Sequence, residues 1–345
     1  AEPFGQGLRP DPMTIQDRIS AAEQARSIAV DRDLPDLLGA ADAALGILYG
    51  IAGDYAAVLT VGRRQLDRLA EIPSRLQQAD TLRTIAVHTV SIVADFEEGL
   101  ELARRAHRLA ANGSPHQRMH ATWPILAALY YLGRWDESLL FVEEHMRAFG
   151  EDAALECQFV RDGPVIGATI HAERGEPERA RALAAAVGDP LGRVEGATAF
   201  EARLAIAIGD PASARTISRG KALEGRLYGP QHALTLLDAL IAEEAWSEVA
   251  DLIPKVRAAV AGNALLEPWC DRAQGFVALQ AGRPADAAES FRRAIETFGR
   301  LKVPFEAART EMLLAPLAAA EGLALVASAQ ATFARLGVPT PPPAT

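Results

Sequence analysis

His116 and His120 stand four residues apart, a spacing that on a helix puts both imidazoles on one face, as a metal pair requires. No third ligand lies near them in sequence, and Ser114-Pro115 just before them reads as the start of a solvated helix, so no metal is assigned. The two cysteines, Cys157 and Cys270, are far apart and belong to no C-x-x-C pair. That speaks against a zinc site or a disulfide framework, and for a reducing compartment. The chain has no G-x-S-x-G, H-E-x-x-H, G-x-G-x-x-G, G-x-x-x-x-G-K-[ST] or EF-hand pattern. Asp95, Glu97, Glu98 and Glu101 form an acidic cluster, but acids at a helix start complement the helix dipole, and Asp136-Glu137 and Glu176 with Glu178 repeat the arrangement. Asn112-Gly113-Ser114 is formally a glycosylation sequon and reads here as a loop. No catalytic residue, cofactor or metal is therefore assigned, and the chain as it stands is expected not to be an enzyme.

The elements that position side chains are set by a recurring turn: a small residue, a polar residue, then an aromatic or Pro that opens a helix. It occurs at Gly53-Asp54-Tyr55, Ala94-Asp95-Phe96, Gly133-Arg134-Trp135, Gly175-Glu176-Pro177, Gly209-Asp210-Pro211, Glu244-Ala245-Trp246 and Gly282-Arg283-Pro284. The spacings are 41, 39, 42, 34, 35 and 38 residues, and a weaker eighth instance starts at Gly322. Gly ends a helix by taking a left-handed conformation cheaply, and Pro fits the first turn of the next because its missing N–H would be unbonded there. Ala180, Ala214 and Ala287 each follow the turn Gly by five, where small side chains let paired helices approach. Apolar residues flank the turns at helical spacing, as in Phe276, Leu279, Ala287, Phe291, Ala294 and Ile295. A single such pair cannot bury its apolar face, but stacked pairs can.

Composition agrees. The 345 residues are 49% hydrophobic and 23% charged, within the globular class and rich in helix formers, with alternating strand patterns scarce. Net charge is −10 and the basic residues are scattered, so direct nucleic-acid binding is not expected. No run of about 18 uncharged apolar residues exists: Pro124–Leu132 is short, and Leu313–Ala329 is broken by Pro316, Glu321 and Gly322. No membrane span and a cytoplasmic location are expected. Residues 1–13 read as a flexible lead-in, 14–337 as one helical repeat domain and 338–345 as a Pro-rich disordered tail. The start Ala1-Glu2-Pro3, with no Met, is what a mature secreted protein or, the favoured reading, a piece of a longer protein would show.

The turn pattern resembles the tetratricopeptide repeat, over roughly residues 36–337. Gly46, Tyr49 and Gly275 match small and aromatic first-helix positions, and Ala287, Phe291 and Ala294 match the second-helix signature; Gly62 and Lys221 depart from it. Periods near 40, and the segments Gly282–Ala288, Phe305–Thr310 and Phe333–Gly337, resemble the C-terminal sensor regions of bacterial LuxR-type ATPase regulators and of ATPase-linked nucleotide cyclases. The resemblance implies an all-α, right-handed α-solenoid of about seven to eight helix hairpins. It also implies a concave groove lined by first helices.

At the family's inward positions stand His88, Trp123, Tyr130 and Arg203, with Thr84 and Arg272, and one step further out come His120, Asp162 and Trp269; His120 is counted with the groove. Trp and Tyr offer stacking surfaces, Arg203 can pair with a carboxylate or phosphate, and His88 can donate or accept a hydrogen bond. Such a groove suits a peptide, a partner protein or a small inducer; the same aromatics would equally serve as packing between helices. Three readings stay open: a sensor region of a larger bacterial regulator, a free-standing adaptor, and an all-α toroid enzyme. The toroid needs paired carboxylates inside, and Asp and Glu are scarce at the inward positions.

Overall fold

In a computed structural model the chain is all-helical, and no strand occurs among the described residues, which are 13–72, 74–152, 157–188, 198–223, 229–259 and 263–339. It divides into two compact units, Ala1–Ile72 and Pro73–Thr345, where one domain had been expected across 14–337.

The first unit holds α1 (Ile15–Asp31), α2 (Pro35–Ala52) and α3 (Tyr55–Asp67). Thr14 opens α1 with a capping box to Asp17, and Ile19, Leu45 and Val61 form the core. Asp42 is buried there and accepts from Arg26 at 2.9 Å and Arg64 at 3.2 Å.

The second unit holds α4 (Arg75–His88), α5 (Phe96–Ala110), α6 (Pro115–Tyr131), α7 (Trp135–Glu151), α8 (Gln158–Glu173), α9 (Pro177–Ala186) and α10 (Ala199–Ala207). It continues with α11 (Pro211–Arg219), α12 (Gly229–Ala242), α13 (Trp246–Ala259), α14 (Glu267–Gln280), α15 (Pro284–Arg300), α16 (Pro304–Leu314) and α17 (Gly322–Leu336).

All seven turn residues read from the sequence have positive φ: Gly53, Gly133, Gly175, Gly209 and Gly282, and also Ala94 and Glu244. Five are the glycines the conformation favours; Ala94 and Glu244 adopt it at a steric cost of roughly 1–2 kcal/mol. Gly322 differs. It starts α17 without a left-handed turn, and Lys302, at φ 56°, makes the turn into α16 instead. Two boundaries also move. Glu151 extends α7 through the loop expected at 150–152, and Val338, assigned to the tail, is buried with its N–H on the Phe333 carbonyl at 2.9 Å. Residues 1–12 and 340–345, the rest of the expected lead-in and tail, lie outside the described residues.

Helices pack closely where the sequence is small. Ala180, Ala214 and Ala287 are buried, and a Cβ built on Gly275 would sit 2.4 Å from the Phe291 ring. Pro164 lies inside α8 and cannot donate to the Val160 carbonyl one turn back; His145 of α7 does so instead, Nε2 to O 2.8 Å. α4 passes into a π-helical turn, Thr89–Val93. The Ser91 and Ile92 carbonyls there accept from Asn263 Nδ2 at 3.0 Å and Ala264 N at 3.1 Å, so the start of this unit meets the segment before α14. Trp135 of α7 packs on Phe305 of α16 at 5.0 Å between ring centroids, and the Arg174 guanidinium donates to the Leu336 carbonyl at 2.8 Å. The second unit thus closes on itself, whereas in an open solenoid each pair touches only its neighbours.

Candidate functional site

That closure corrects the expected open groove. Trp123 and Tyr130 of α6 meet Phe200, and Arg203 of α10 joins Tyr130 to Glu306 and through it to Arg272 of α14. These residues and His88 of α4 are all buried, Trp123 and Tyr130 at 3% exposure each. Thr84 and His120 are half-buried. Tyr130 stacks on Trp135 at 6.1 Å and meets Phe200 edge-on at 5.9 Å. The aromatics face each other, so no accessible stacking surface is left on them.

Two buried polar groups adjoin these side chains. In the first, Arg203 donates to the Tyr130 hydroxyl and to Glu306. Glu306 also accepts from Arg272 at 2.5 Å, and Arg272 reaches Asp238 at 2.7 Å. Arg309 approaches Glu306 at 3.4 Å. Burial alone would raise the Glu306 pKa, but Arg203, Arg272 and Arg309 outweigh it and hold the carboxyl well below its usual range. Each carboxylate here faces at least one guanidinium, the pairing that a buried charge requires.

In the second group, Asp162 of α8 accepts from Trp123 Nε1 at 2.8 Å and from Thr198 Oγ1 at 2.6 Å. Thr198 caps α10 with Glu201 in a capping box, which fixes the hydroxyl beside α8. Burial pushes Asp162 up to about 7, against the pull of those two hydrogen bonds, so near neutral pH the carboxyl can accept or donate. It borders a cavity of about 40 Å³ lined by Trp123, Asp162, Thr198, Phe200, Gln231 and Ser91 among others. Ser91 Oγ and Gln231 Oε1 are buried without a hydrogen-bond partner among the described residues. His232 also lines it, kept neutral because burial, and then Lys221, push its pKa down to about 3. At about 10–15 Å³ for one water, the space takes about three or four waters or a ligand group of that size.

Acidic residues are therefore not scarce inside: Asp162, Glu201, Asp238 and Glu306 are all buried. Asp238 carried a sequence signal, as the one charge within Leu234–Leu240, where an acid on an apolar helix must find a partner. Glu306 carried a weaker one, sharing a helix face with Arg309 and Thr310.

The chain matches no known protein-family model and no curated protein. No helix among the described residues is long and apolar enough to cross a membrane.

Proposed function

We propose that this chain is a binding scaffold of about seven to eight tetratricopeptide-like helix hairpins of the right-handed α-solenoid class. On this reading it is the sensor part of a larger cytoplasmic bacterial regulator, works without chemistry of its own, and takes a small polar ligand into the cavity between α6, α8, α10 and α12. The observation that supports this is the pair of unpartnered buried groups, Ser91 Oγ and Gln231 Oε1, beside Asp162 and the rings of Trp123 and Phe200. Unsatisfied buried polar atoms are rare, and a ligand hydroxyl or amine would satisfy both. A ligand that enters between four helices would stiffen their packing, which is the means by which such a sensor would signal.

The test is a thermal-shift screen with small amines, amides and polyols. A ligand at 100 times its Kd adds about 2.7 kcal/mol of stability. A hit should stabilise the wild type and not Gln231→Leu. If nothing in the panel stabilises the protein, or the variant is stabilised equally, the cavity holds only water and the sensor reading fails.

A second reading, the adaptor working through protein contacts, is favoured by exposed apolar side chains in the first unit, including Ile28, Val30, Ile47 and Ile51. Under it, Ile47→Glu with Ile51→Glu would abolish association measured by light scattering and leave thermal stability unchanged.

A further inference from the structure

The histidine pair that had no third ligand in sequence acquires one in space. His116 and His120 lie one turn apart on α6, with ring centroids 4.3 Å apart. Cys157 is the residue that precedes α8. It has an extended backbone, and its side chain makes no capping bond to its own helix. The thiol instead turns toward α6, with Sγ 2.9 Å from His120 Nε2. The ligand atoms of His116, His120 and Cys157 all lie within 4.8 Å of one another.

We propose that these three side chains bind one zinc-class divalent ion, with the fourth coordination position open to solvent. The donor set decides the class. Two imidazoles and a thiolate suit a borderline-soft ion, whereas calcium and magnesium take oxygen ligands. Bond lengths of about 2.0–2.1 Å to nitrogen and 2.3 Å to sulfur put tetrahedral donors roughly 3.3–3.7 Å apart. The widest separation must contract by about 1 Å and the 2.9 Å Cys157–His120 pair must open by roughly 0.5 Å, changes that side-chain rotation at a half-buried site supplies.

The surroundings orient the ligands. Phe159, two residues after Cys157, meets the His120 ring edge-on at 5.0 Å and the Trp123 ring at 5.1 Å. Arg83, which lines the same surface pocket as His120, is paired with Asp80 at 2.7 Å, so its repulsion of a metal ion is reduced. All three ligand residues are half-buried, which leaves a route from solvent and room for a water on the metal. Binding requires the thiol to lose its proton, so the ion displaces one proton to solvent as the Cys157–metal bond forms. One aromatic ring separates this site from the cavity beside Trp123, but the metal site rests on different residues and stands whether or not that cavity takes a ligand.

The test uses the intact chain, purified free of metal, with Co²⁺ and Zn²⁺ as probes. Co²⁺ should bind one to one and show a thiolate-to-cobalt charge-transfer band with intense tetrahedral visible bands. Zn²⁺ should displace it and slow iodoacetamide alkylation of Cys157, while buried Cys270 stays unreactive throughout. Cys157→Ser should lose the charge-transfer band, and His116→Ala should weaken binding at least tenfold, both with unchanged circular dichroism. Alkylation of wild-type Cys157 that Zn²⁺ does not slow would overturn the site, and this readout needs no variant. So would full affinity in His116→Ala, which would leave a bare thiol–imidazole pair.

Discussion

Arg203 on α10 and Glu306 on α16 are 103 residues apart in the chain and meet as a fully buried ion pair. Arg272 shares the same carboxylate. Glu306→Gln would therefore leave two guanidinium groups underneutralised in the interior. We expect a loss of about 3–5 kcal/mol in chemical denaturation, since breaking a buried pair strands a charge. A loss below about 1 kcal/mol would mean that water reaches the network.

His145 and Pro164 form a second dependency. The proline leaves the Val160 carbonyl free, and His145 occupies it. His145→Phe should cost about 1–3 kcal/mol for the orphaned carbonyl. In a Pro164→Ala background the new N–H can take that carbonyl within the helix, and the His145 substitution should cost less. Equal costs in both backgrounds, measured by urea melts of the four proteins, would show that the bond carries no energy.

Gly275 sits under Phe291. On helix propensity alone, Gly275→Ala would stabilise α14 by about 1 kcal/mol. We expect the reverse, a net destabilisation, because the added methyl meets the ring and overpacking costs about 1–3 kcal/mol. Phe291→Leu should relieve the clash, so the alanine becomes neutral or better in that background. A higher melting temperature for Gly275→Ala alone would contradict the close approach of α14 and α15.

Acid should unfold the protein through its buried histidines. Burial pushes His88 and His145 down to about 4 and His232 to about 3. Below their unfolded value near 6.5, the unfolded chain binds protons the folded chain refuses. Their contribution is thus complete above about pH 6.5 and shrinks as pH falls toward the folded values. One unit below 6.5, each costs roughly 1.4 kcal/mol. Asp162 acts oppositely: raised from 3.8 to about 7, it holds a proton when folded, and its contribution is lost as pH rises through 7. Three histidines outweigh one aspartate, so the melting temperature should fall between about pH 7 and pH 5. A rise over that interval would show that the histidines are solvated.

What the sequence determined by itself was local. Seven turns, from Gly53 to Gly282, were legible because a left-handed residue followed by a helix-opening Pro or aromatic is a property of consecutive residues. The small residues at Ala180, Ala214 and Ala287 were legible for the same reason, whereas the burial of His88, Trp123, Tyr130 and Arg203 was not, since the expectation was an open groove. Tertiary structure alone decided what those side chains meet. An inward Trp123 reads the same in an open groove and in a closed interior. The difference lies in contacts between residues far apart in the chain, where α7 reaches α16 and the turn after α4 reaches the segment before α14. Once that happens, Glu306 finds Arg203 and the aromatics find each other. Cys157 is a nearer case: α7 carries the chain away from α6 and back, and brings the thiol to His120 from 37 residues downstream. No pattern in consecutive residues encodes that pairing, because it depends on how α7 and α8 pack against α6.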